Sequence, residues 1–202
     1  IDSKMIYKCA ESLKNTDLLI SGFTYEFKDI NEDKTYESSF TCSSKEFVQN
    51  YFVESFGKLL LYGPYNKLYR RTIINKYDIK FDEDYSICED AMFVFDYLLK
   101  CEKVSGITEN FYYYVQHDES LISRYNSNAF DATWKLYNKI IKFLNANNSE
   151  IKNINIVNYS YEHRILSCMD SVYRKSNLTN GEKYSILKIY TLEDRFQKLL
   201  IK

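Results

Sequence analysis

Apolar residues open the chain at helical spacing. Met5, Ile6, Cys9, Ala10 and Leu13 fall on one face, which predicts an amphipathic helix over residues 3–14. From 17 to 28 the period changes: a short apolar run gives way to alternation at Phe23, Tyr25 and Phe27, the pattern of a strand. Asn31-Glu32-Asp33 reads as a turn, so residues 34–41 are expected to return as a second, more exposed strand and close a hairpin. Ser43-Ser44-Lys45-Glu46 has capping-box spacing, and Phe47, Val48, Tyr51, Phe52 and Phe56 form one face of a helix that ends near Gly57.

Pro64, the only proline, lies in Tyr62-Gly63-Pro64-Tyr65-Asn66-Lys67-Leu68-Tyr69-Arg70-Arg71. It fixes its own φ and removes a donor, so the chain must turn there. Residues 66–75 fit one or two short helical turns, and 77–85 are polar and irregular. Residues 89–100 then read as a helix buried on more than one side, with Met92, Phe93, Phe95, Leu98 and Leu99 spread around it. Residues 104–115 have strand character. From Ser127 onward the pattern is helical, with one stripe at Phe130, Trp134, Tyr137, Ile141 and Leu144 and a second at Ile154, Val157, Tyr161, Ile165, Cys168 and Val172. Thr179-Asn180-Gly181-Glu182 caps a last helix. The fold class expected is α/β in the helix-rich α+β sense: a partial sheet with flanking helices over 1–126, then an all-helical extension over 127–202.

A net charge of −1 and a pI near 6.2 give no electrostatic footprint for nucleic acid. Twenty tyrosines bring apolar faces with hydroxyls that need partners, which suits clefts and wet interfaces as well as cores. The cysteines at 9, 42, 88, 101 and 168 are odd in number and lack C-x-x-C spacing, so reduced thiols in a cytoplasmic protein are expected. No signal peptide is visible, and no apolar run reaches the length that crosses a bilayer. The chain begins at Ile1 without Met and is read as an excised piece of a longer protein.

The chemistry centres on Ser86-Ile87-Cys88-Glu89-Asp90-Ala91-Met92-Phe93. Two adjacent carboxylates at a helix N-terminus serve equally as a cap or as a base. Ser86 and Glu89 have capping-box spacing, which would turn Glu89 back to the Ser86 N–H. Asp90, about 100° further round, would stay free to face a cleft.

Residues 60–123 resemble the second half of the family 2 glycosyltransferases with the GT-A fold. The resemblance rests on the segment from Gly63 to Arg71, on Ile79-Lys80-Phe81, on Glu89-Asp90-Ala91-Met92-Phe93, and on Tyr112-Tyr113-Tyr114 followed by Ser120-Leu121-Ile122. The upstream half of such enzymes, with its D-x-D metal motif, is not in this chain, which would then be the acceptor-side half plus a helical tail. The resemblance implies an inverting transfer of sugar from a nucleotide-diphosphate sugar to a glycan or polysaccharide-precursor acceptor. It assigns the base to Asp90, with Glu89 beside it. It also implies a divalent metal, Mg or Mn, held mainly by the missing D-x-D, with His117 completing the metal site or contacting the diphosphate. Val115 stands where relatives often carry Arg after the Y-x-Y, and Arg124 is the candidate substitute.

Tyr65, Asn66 and Lys67 are candidate substrate contacts, through a ring for a sugar to stack on, an amide and an ammonium. They fit equally a turn packed on the core, with Lys67, Arg70 and Arg71 solvated. Glu162-His163-Arg164 is read as surface. The expected location is cytoplasmic, with peripheral association at the inner face of the membrane, and the helical tail is a candidate homodimer contact. The competing reading is a non-catalytic module that binds a partner protein or glycan, in which the acids are only a cap.

Overall fold

The computed structural model describes residues 2–28, 30–116, 124–194 and 196–197. The alternating stretch becomes β1 (Leu18–Phe27), and three of the other four strands pair with it. β5 (Lys103–Val115) runs parallel along one edge. Along the other edge two antiparallel strands lie end to end: β4 (Lys67–Tyr69) against 18–20 and β2 (Ile30–Lys34) against 23–27. β3 (Phe40–Ser43) is antiparallel to β5 on its far side. The β1–β5 register slips around Gly22, where a Cβ would stand 1.8 Å from Asn110 Oδ1. Only glycine lets the backbone and that side chain approach so closely.

Strand alternation splits the core in two. Leu19, Ile107 and Phe111 meet Met5 and Cys9 of α1 (Met5–Ser12) on one face. Leu18, Ile20 and Val104 join a much larger cluster on the other face. That cluster includes α2 (Ser44–Asn50), α3 (Phe52–Gly57) and α5 (Glu89–Leu98), which follows α4 (Arg71–Tyr77). It continues without a break into α6 (Ala129–Ala146) and α7 (Ile151–Lys175) through Trp134, Phe143, Tyr161 and Ile165; α8 (Asn180–Leu192) follows them. Phe143 lies 6.5 Å from Phe52 and 6.0 Å from Phe95, joining α6 to α3 and α5. Each such fully buried ring contributes roughly 1.5–3 kcal/mol.

α6 and the residues just before it also fasten α5 and the segment that leads into it. Lys135 Nζ pairs with Asp82 at 2.5 Å, Lys139 Nζ with Asp96 at 2.6 Å, and Asn126 Nδ2 donates to Ser86 Oγ at 3.0 Å.

Local expectations change in four places, the first being the expected strand over 34–41, of which only residue 34 and residues 40–41 are strand, in β2 and β3. Asn31, Glu32 and Asp33 are strand, not turn. Lys28, at the end of β1, is held at φ 54°, and the three polar residues sit exposed on an edge strand, where charge guards against stray pairing. The expected helix over 44–57 parts at Tyr51 (φ −125°), whose ring stacks on Phe40 at 3.6 Å. The expected helical turns over 66–75 begin instead as β4, because the free edge of β1 takes those residues as a strand. The capping boxes at Ser43–Glu46 and Thr179–Glu182 form as read.

Candidate active site

α5 starts at Glu89, after Cys88 held at φ 63° in the left-handed region. That conformation costs a non-glycine residue about 1–2 kcal/mol and persists only where its surroundings impose it. It also removes the expected Ser86–Glu89 capping box. The box needs a helix beginning at Ile87 with Glu89 as its third residue, whereas the turn at Cys88 delays the start by two residues and makes Glu89 the first. Ser86 is committed to Asn126 instead. Glu89 and Asp90 thus occupy the first two helical positions, both half-buried, where free N–H groups favour negative charge. Partial burial and then the Glu89 charge push the Asp90 pKa up; the Lys67 ammonium pulls it back.

The turn before β4 lies beside this helix start. Leu59 enters it at φ 62°, and Gly63 leaves room for the Tyr65 ring, which a Cβ there would meet at 2.1 Å. Lys67 is buried, at 6% exposure, and its Nζ donates to Leu60 O at 2.6 Å, to Asn66 Oδ1 at 2.7 Å and to Gly63 O. Asn66, buried too, donates Nδ2 to Ser21 O of β1 at 2.8 Å. Burial pushes the Lys67 pKa down to about 7, with the field of Asp90 acting against it. The Tyr65 ring stacks on Tyr112 at 4.4 Å and tilts against Tyr114 at 5.3 Å, and Tyr114 stacks on Tyr25 at 5.9 Å. Asp90 acts electrostatically on both Tyr65 and Tyr114.

The structure therefore groups Asp90, Glu89, Tyr65 and Lys67, with Asn66 beneath them. The polar ends of Asn66 and Lys67 are turned into the protein's own carbonyls, and Lys67 is buried rather than solvated. Arg70 is likewise tied down, donating to Leu13 O, Lys14 O and Thr16 O. Arg124 is exposed and makes no hydrogen bond or ion pair to Asp90 or Lys67 among the described residues. His117 and Ser120-Leu121-Ile122 lie outside the described residues. No three His, Cys, Asp or Glu side chains converge on a metal site among the described residues.

Arg164, read as surface, is a further member of this neighbourhood. Its guanidinium lies over the Tyr62 ring at 4.4 Å and near that of Tyr161 at 5.6 Å, and it acts electrostatically on the Cys88 thiol at the start of α5. The signal was present in the spacing: Arg164 follows Tyr161 by three residues and shares the flank of its buried stripe.

No family model matches the chain, and no curated protein matches it. Among solved structures the chain is similar to S. aureus TarS 1–349 in complex with UDP-GlcNAc, a glycosyltransferase, with a TM-score of 0.55 and 17% identity over 81% of this chain and 45% of that one. The fold is glycosyltransferase-like. The complex of the same protein with UDP gives a TM-score of 0.46 and 16% identity over 78% of this chain and 39% of that one. The chain spans less than half the length of these structures.

Proposed function

We propose that this chain is the acceptor-side part of an inverting glycosyltransferase that uses a nucleotide-diphosphate sugar and extends a glycan or polysaccharide precursor. The observation that carries the reading is Asp90, a half-buried carboxylate at the first turn of α5 whose pKa is raised, in a glycosyltransferase-like fold. A carboxylate whose pKa is raised above its ordinary value holds a proton more strongly and is suited to general-base work.

In this reading the acceptor hydroxyl attacks the anomeric carbon, the bond from that carbon to the diphosphate breaks, and Asp90 takes the hydroxyl proton. A positioned base of this kind contributes roughly 10²–10⁴-fold. Glu89 beside it raises the affinity of Asp90 for that proton. Tyr65, half-buried above the Tyr112 and Tyr114 rings, offers a face to a sugar ring. The divalent metal implied by the family resemblance finds no three-ligand set among the described residues. Because the similar TarS structure holds UDP-GlcNAc, UDP-sugars are the first donors to try.

The test is a panel of sugar nucleotides offered to the full-length gene product with a glycan acceptor. Acceptor-dependent release of nucleoside diphosphate from at least one donor is expected. Neither binding nor release with any donor overturns the transferase reading and leaves the interaction module.

A further inference from the structure

β4 and α5 face one another with a regular offset. Tyr69 packs edge-on against Phe93 at 5.4 Å and against Tyr97 at 4.9 Å, one helical turn apart. Two residues back on the same face of β4, a step of about 6.6 Å, is Lys67. One turn back from Phe93, about 5.4 Å along the axis, are Glu89 and Asp90. The only buried lysine among the described residues thus stands on the β4 face that packs on α5, on the side of Tyr69 toward the acids.

Its ammonium is held there. Three N–H donors meet three oxygens, Leu60 O, Gly63 O and Asn66 Oδ1, and Asn66 is anchored in turn to Ser21 in both directions, through Nδ2 to Ser21 O and from Ser21 N to its own carbonyl at 2.9 Å. Loss of a proton would leave one of those oxygens without a partner in the interior, a cost of about 1–3 kcal/mol that works against the lowering of the lysine pKa by burial. Glu89 on its own helix also acts on Asp90, and Asp90 in turn acts on the phenols of Tyr65, Tyr69 and Tyr114 from the turn, β4 and β5. Arg164 of α7 acts on Cys88, two residues away. Lys67 is the cation that acts on Asp90 itself.

We propose that Lys67 is a positioning residue for Asp90: its ammonium, fastened to three carbonyl oxygens of the turn over residues 60–66, holds the carboxylate in its charged form and fixes the turn that flanks it. Burial and Glu89 both work to protonate Asp90, and Lys67 opposes them without touching substrate. The catalytic meaning of this device rests on the reading of Asp90 as the base; the coupling itself does not.

The experiment is a ¹³C titration of the Asp90 carboxyl in this chain, with Lys67→Gln, which keeps donors but no charge, and Lys67→Arg, which keeps the charge. Lys67→Gln is expected to raise the Asp90 midpoint by about half a unit or more, with Lys67→Arg near the wild-type value. Should the lysine variants fail to fold, the reciprocal measurement serves: Asp90→Asn lowers the midpoint of Lys67 Nζ, followed by ¹⁵N, by the same coupling. Midpoints that do not move overturn the proposal. Midpoints that move while Asp90→Asn retains transfer support the coupling and overturn only the assignment of Asp90 as the base.

Discussion

The guanidinium of Arg164 rests 4.4 Å from the centre of the Tyr62 ring. This contact joins a helix of the C-terminal region to the turn beside Asp90, so the helices past Asn126 help to shape the candidate site. A desolvated cation–π contact is worth about 0.5–2 kcal/mol. Arg164→Met is expected to lower stability by about 1–2 kcal/mol in urea melts and to shift the amide resonances of Tyr62, Glu89 and Asp90. Arg164→Lys should recover only part, because an ammonium lacks the guanidinium plane. An unchanged midpoint with unchanged resonances would show that the stack supports nothing.

Two serines with the same apparent motif should behave differently. Ser43 caps α2, accepting from the Glu46 N–H while Glu46 returns to the Ser43 N–H at 2.9 Å. Ser43→Ala should cost about 0.5–2 kcal/mol. Ser86, which caps nothing and bonds to Asn126, should cost within about 0.5 kcal/mol on mutation to Ala. Chemical denaturation of the two variants decides it; equal losses would restore the capping box at Ser86.

Stability should depend on pH in a direction that Lys67 sets. Its folded pKa of about 7 lies below the ordinary lysine value of 10.5. Between those values the unfolded chain binds the extra proton, so the contribution of Lys67 grows as pH rises through that window and is lost as pH falls toward 7. Cys42 and Cys88, pushed up to about 11 by burial from 9.0, act oppositely and begin to take stability away above pH 9. Unfolding free energy is expected to climb from pH 7 toward 9 and then fall, and in Lys67→Met the climb should vanish. The same climb in the variant would assign it to another group.

Asp90 gives a stability prediction of its own. Its folded pKa is raised, so its favourable contribution is present at low pH and lost as pH rises through that value. Once ionised, the partly buried carboxylate therefore weakens the fold. Asp90→Asn should raise the thermal midpoint at pH 7 and lose that advantage in acid. A lower midpoint at pH 7 would mean that the carboxylate makes stabilising bonds in the folded state.

Much of this architecture was readable in the chain. Period-two alternation marked β1, period-3.6 stripes marked α6 and α7, and the S-x-x-E and T-x-x-E spacings at Ser43 and Thr179 gave true helix starts. The failures share a physical cause. Asn31-Glu32-Asp33 has turn chemistry but sits where β1 offers an edge to pair with, so tertiary pairing overrode local preference. Ser86–Glu89 has capping chemistry, but a left-handed Cys88 moved the helix start. Lys67 and Arg164 carry charges that composition sends to the surface, and only the fold shows three carbonyls around one and two aromatic rings around the other. The acidic pair and Tyr65 were legible as a candidate site because the helix start and the proline turn are both local features. The lysine that couples them was not, because its partners come from β1, the turn and α5 at once.

The most direct measurement is the rate of sugar transfer by the full-length gene product carrying Asp90→Asn, read beside its thermal midpoint at pH 7. A loss of roughly 10²–10⁴-fold in kcat is expected, with a midpoint no lower than that of the wild type. Transfer close to the wild-type rate in the folded variant would contradict it.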